Sequence, residues 1–122
     1  MAKQIIAMPY ASGIVANQSL SYAFKVYNTV TIAVRCKKAD GTAFITGDTV
    51  LATLPTEYRP TSVLSSTLRF LVAFLLSGTG GSTMVVGPCL AYVTNDGAII
   101  ASVPQGVTTA MHILIPEQSF EI

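Results

Sequence analysis

Tryptophan is absent from the chain, histidine occurs once and cysteine twice. Charged residues make up 11% of 122 positions, where an isolated soluble domain usually carries roughly a quarter. So little charge points to a homo-oligomer whose protomers cover one another's apolar surface. With His112 the lone histidine, a zinc site would need Cys36, Cys89 and His112 to converge without any short-spaced ligand pair to nucleate it. No metal and no cofactor is therefore expected. A Cys-His nucleophilic pair is poorly supported too, because Cys36 lies in the apolar phase of a strand and Cys89 follows Pro88 in an apolar run. The two cysteines could pair; without a secretory signal the better reading is two buried, reduced thiols.

Acidic residues are also scarce: Asp40, Asp48, Glu57, Asp96, Glu117 and Glu121. The three aspartates fall in turn-like stretches, which leaves Glu57 and the C-terminal pair as a thin basis for a glycosidase needing two opposed carboxylates. The Gly-rich "SGTGGST" lacks the Gly-Lys-Ser/Thr ending of a phosphate-binding loop and reads as a flexible turn. Nothing here supports an enzyme. The basic residues Lys3, Lys25, Arg35, Lys37, Lys38, Arg59 and Arg69 are spread along the chain apart from the cluster at Arg35 to Lys38, and net charge is +1. That distribution argues against nucleic acid, which calls for a basic stripe. The longest apolar run, "FLVAFLL", is far shorter than the roughly 20 residues of a membrane span, and the N-terminal apolar run is too short for a signal peptide. A soluble protein made in the cytoplasm, with no membrane insertion, is expected.

What is present is two-residue alternation. In "LSYAFKVY", Leu20, Tyr22, Phe24 and Val26 share one face; in "TVTIAVRCK", Val30, Ile32, Val34 and Cys36 do, which places Cys36 in the core. "ADG" predicts a tight hairpin and "ITGDT" a second turn at Gly47 and Asp48. "TVLATL" is a strand ending at Pro55, and the segment from Pro55 to Pro60 is expected to be extended and rigid at a sheet edge. "VLSSTLRFLVAFLL" reads as a strand, "MVVGPCLAYV" as one interrupted at Gly87 and Pro88, and "TNDGAIIASV" as a hairpin about Asn95, Asp96 and Gly97. The closing strand is expected to end near Pro116. Short strands with turn signals at roughly 8 to 12 residue spacing imply an all-β, compact antiparallel β-barrel or jelly-roll-like sandwich.

One stretch stands apart: "TLPTEYRPTS", where Leu54, Pro55, Tyr58, Arg59 and Pro60 form an LPxxYRPxS element. Together with "VTIAVRCKKADG", "GTGGSTMVVGPCLAYVTNDGAII" and the closing strand, it resembles the C-terminal head domain of bacteriophage tail receptor-binding proteins and tail fibres. The likeness runs from about Val30 to the C-terminus, so residues 1–29 are assigned to an N-terminal segment for oligomer contact or anchoring and 30–122 to the head-like domain. Where the usual motif has Gly before the Tyr, this chain has Glu57.

The resemblance implies a homotrimeric β-barrel at the virion's tail tip or fibre, attached to other tail or fibre proteins and binding host cell-surface saccharide. Without tryptophan, stacking on a sugar would fall to Tyr10, Tyr22, Tyr27, Tyr58 or Tyr92. Tyr58, Arg59, Tyr92 and His112 are the ligand-binding candidates. Leu54, Pro55, Tyr58, Arg59, Pro60, Asp96 and Gly97 form a structural motif, in which Tyr58 packs on the barrel and the Arg59 fork bonds neighbouring carbonyls or a carboxylate. The alternative function, from another class, is a virion part with no ligand, either capsid-decorating or in fibre assembly.

Overall fold

The strongest alternation in the chain sets the core. In β4 (Thr29–Lys38), Val30, Ile32, Val34 and Cys36 all point inward and are almost wholly buried. The other strands of the computed structural model, which describes residues 4–17, 21–60, 69–77 and 84–122, are β1 (Gln4–Ala7), β2 (Ile14–Ala16), β3 (Tyr22–Val26), β5 (Gly47–Thr53), β6 (Arg69–Ser77), β7 (Met84–Val93), β8 (Ala98–Val103) and β9 (His112–Glu121). Among the described residues these nine strands make one antiparallel sheet in the order β1-β3-β4-β9-β6-β7-β8-β5, with β2 also paired to β4. The all-β expectation holds as a single sheet curled into a half-barrel.

Small residues let the sheet curl. Ala91 of β7 faces Ala101 of β8 with neither exposed, so the strands bend over an interior filled by Leu51, Leu54, Leu75, Ile99, Ile113 and Ile115. The segment after β1 then reaches the far edge of the sheet. Past β1, the Ala11 N–H donates to the Leu51 carbonyl (2.9 Å) and the Thr53 N–H to the Pro9 carbonyl (3.2 Å), tying this segment to β5. The strands described before Val30, β1 to β3, thus belong to the same sheet as the rest. Among the described residues, no helix is long and apolar enough to cross a membrane.

Several local expectations change. In β3 the fully buried residue is Ala23, while Tyr22, Phe24 and Val26 lie half-buried on the outer face, where the Tyr22 and Phe24 rings stack 6.0 Å apart. The inward face takes alanine because the curl leaves little room there. Asp40 and Gly41 do form a turn, with the Thr42 N–H on Asp40 Oδ1 (3.0 Å), but it joins no hairpin, because β5 pairs with β8. Gly47 and Asp48 are the first residues of β5 and not a turn.

The proline-framed loop is a single 3-10 turn, Thr56–Tyr58, and not an extended strap: the Tyr58 N–H reaches the Pro55 carbonyl at 2.9 Å. Closing that turn buries Tyr58. β7 runs unbroken through Gly87 and Pro88, with a register shift opposite Leu75 and Leu76; β8 pairs only with Leu90–Val93, so Pro88 falls where β7 has no partner on that side. Likewise β9 continues through Pro116. Ile32 pairs with Gln118 and Val34 with Ile115, so Pro116 and Glu117 together oppose Ala33 in a β-bulge, which accommodates the missing N–H. The strand expected before Leu68 and the turn at 78–83 lie outside the described residues.

Candidate functional site

The Pro116 bulge shapes the outer face of β4 and β9. It re-aims Glu117 toward β3, where the Tyr22 hydroxyl donates a hydrogen bond to Glu117 Oε2. That bond raises the pKa of the phenol above its usual 10.0, since ionisation would set two anions side by side. Between these residues lies an open cleft of ≈230 Å³, lined by Tyr22, Ala33, Arg35, Leu114, Pro116 and Glu117.

Arg35 is held there by its backbone. Ser21 Oγ accepts the Arg35 N–H (3.0 Å) and donates to the Arg35 carbonyl (3.2 Å), and Tyr10 donates to both Ser21 Oγ and that carbonyl. Its side chain is less satisfied: Nε is buried and has no hydrogen-bond partner among the described residues. A buried donor left bare costs free energy that a bound acceptor would recover. The cleft thus joins an aromatic ring braced by Phe24, a carboxylate and a planar cation, a set able to stack on one face of a sugar ring and hydrogen-bond its hydroxyls.

The four residues singled out by sequence do not share one site. Tyr58 is 4% exposed and lies under the 3-10 turn. Arg59 Nε donates to the Leu54 carbonyl (3.0 Å), and the Leu54 N–H donates to the Gly97 carbonyl (2.8 Å). Leu54, Arg59 and Gly97 are in this way brought together, binding the proline-framed loop to the β7–β8 hairpin; Pro60 is buried and Asp96 is exposed at the turn. Lys25 adds a tie on the other side, its Nζ donating to the Glu57 carbonyl (2.9 Å). Tyr92 stands on the outer face of β7, donating to Asp48 Oδ2 (3.0 Å) and meeting Phe70 edge-on. His112 opens β9 opposite Lys37, 4% exposed, in a second cleft.

Cys36 is buried and Cys89 half-buried, both free. Burial pushes the Cys36 thiol up to about 12, far from a reactive thiolate. Among the described residues no group of three His, Cys, Asp or Glu side chains is placed to hold a metal ion.

Sequence reading passed over Arg35 and Glu117. Arg35 belongs to the outward phase of β4, which was legible, but Glu117 reaches the same face only through a bulge that the Pro116 signal could have marked.

No family model and no curated protein matches the chain. Two solved structures are similar to it in fold. One is the head domain of the receptor-binding protein of lactococcal phage bIL170, with a TM-score of 0.67 and 10% identity over 99% of both chains. The other is the receptor-binding protein of Listeria phage PSA, with a TM-score of 0.60 and 18% identity over 99% of this chain and 67% of that one. At these identities the likeness establishes the fold, over a span that includes the residues before Val30.

Proposed function

We propose that the chain is a receptor-binding head module of a bacteriophage tail, located on the virion, that binds host cell-surface saccharide without catalysing a reaction. The observation that carries this reading is the likeness in fold to a phage receptor-binding head over 99% of each chain. The Tyr22, Arg35 and Glu117 cleft supplies the chemistry. Stacking comes from Tyr22, hydroxyl recognition from the Glu117 carboxylate and the Arg35 guanidinium that line the cleft.

The working unit is a homotrimer. Support comes from the outer face of β5 to β8, where Val50, Ile100, Tyr92 and Phe70 form one cross-strand row, and Leu90 and Val72 begin the next. Phe70, Val72 and Leu90 are each more than half exposed, an apolar surface that protomers would cover. Three copies then multiply weak single-site affinity at a polymeric surface. Contact with other tail proteins would fix the module to the particle.

The test is a bacterial surface-glycan array probed with purified protein. Reproducible binding that is lost in Arg35→Ala supports the reading. Silence across the array favours the alternative, a virion part with no ligand.

A further inference from the structure

Two residues along β4 from Arg35, the same outer face opens into a second cleft of ≈210 Å³. Lys37, Lys38, Asn17, Thr42 and His112 line it. Its chemistry differs from that of the first. Arg35, Lys37 and Lys38 put three cations within four positions of one strand, in a chain whose net charge is only +1. The nearby carboxylate, Asp40, is engaged first by its own loop, accepting from the Thr42 N–H (3.0 Å) and hydroxyl (2.6 Å), and interacts more weakly with the Lys38 charge, leaving Lys37 and Arg35 without a carboxylate among the residues that line the cleft. At the cleft wall, His112 is 4% exposed and its Nδ1 has no hydrogen-bond partner among the described residues.

We propose that this cleft is an oxyanion site that takes a phosphate group, with Lys37 and Lys38 supplying charge and His112 and Asn17 neutral hydrogen-bonding capacity. A cation is repelled here, and an apolar group would strand the polar walls. The field at the imidazole agrees in sign: burial first, then the positive charges of Arg35 and Lys37, hold the His112 pKa below its usual 6.5. A bound phosphate offsets those two charges and raises that pKa again. As part of a receptor site the assignment rests on the saccharide reading above; as an anion site it stands without it.

The single histidine provides the readout. Its Cε1–H resonance in the full chain is followed by NMR while inorganic phosphate is added near pH 7, with ionic strength held constant by sodium chloride. The expected result is a saturable shift, a raised His112 pKa, and binding weakened about fivefold or more in Lys37→Ala/Lys38→Ala, as expected for loss of two solvent-accessible charge contacts. A shift that chloride alone reproduces, that fails to saturate, or that the double variant leaves unchanged overturns the proposal; the amide spectrum of the variant verifies its fold. Glucose 1-phosphate identifies the source: tighter binding than inorganic phosphate points to a glycan, equal binding to free phosphate, and both support the site. Array binding with no histidine response removes the oxyanion site alone. A histidine response with a silent array removes the saccharide reading alone.

Discussion

The Gln118 side chain pairs with the backbone of Val72 as a neighbouring strand would. The Val72 N–H donates to Gln118 Oε1 (2.7 Å) and Gln118 Nε2 donates to the Val72 carbonyl (2.6 Å). β6 and β9 are in register only from Phe74 to Leu76, and beyond that the strands part around the Pro116 bulge. The amide spans the gap. Gln118→Ala should cost about 1 kcal/mol, since these bonds are exposed and trade against water, and should speed hydrogen exchange at the Val72 amide. Unchanged exchange at Val72 would mean that the amide pairing is not maintained in solution.

Gly97 tests the lock between the proline-framed loop and the hairpin. Its φ is +82°, and a Cβ there would lie 2.8 Å from Arg59 Cγ and from the Leu54 carbonyl oxygen. Gly41 has φ +77° with open space around it. Gly41→Ala should therefore cost about 1–2 kcal/mol, the left-handed penalty alone. Gly97→Ala should cost more, by the added clash. Equal denaturation midpoints for the two variants would show that Arg59 does not pack there.

How far the chain could be read in advance depended on what each element packs against. β4 was legible because both its edges are paired, to β3 and β9, and one face is wholly core, and its inward phase through Cys36 was correct. The turn at Asn95 to Gly97 was legible as well, because its chemistry is local. β3 was legible only in part: alternation put Tyr22, Phe24 and Val26 on one face, but not that this face is the outer one, with Ala23 inside and the aromatics stacked outside. The loop at Pro55 hid its 3-10 turn because proline restricts the residue before it and not the three that follow. The candidate site was the least legible part, since Arg35 and Glu117 are far apart in sequence and meet only across β4 and β9 at a bulge.

Protonation of His112 should make stability depend on pH. Its folded pKa lies below the ordinary 6.5, so between the two values the unfolded chain binds a proton that the folded chain refuses. Stability is then fully present above about 6.5 and falls as pH drops through that window. Arg35 and Lys37 face the ring and oppose its charging. His112→Gln should flatten this part of a denaturation-midpoint profile. A profile identical to that of the parent protein would remove His112 as the cause.

The apolar outer face predicts the assembly state. Light scattering should give three times the 12.8 kDa chain mass. Leu90→Lys, which puts a charge at the centre of the face without touching the core, should yield a folded monomer. A trimer that tolerates this change would place the interface elsewhere.

Binding to surface glycan is the most direct measurement of the whole reading, made on three proteins side by side. The parent and Arg59→Ala should bind the same glycans, the latter with stability lowered by about 1.5 kcal/mol for its lost bond to the Leu54 carbonyl. Arg35→Ala should keep its fold and lose binding. Glycan binding that survives Arg35→Ala but disappears in a folded Arg59→Ala would contradict this account and return the receptor site to the proline-framed loop.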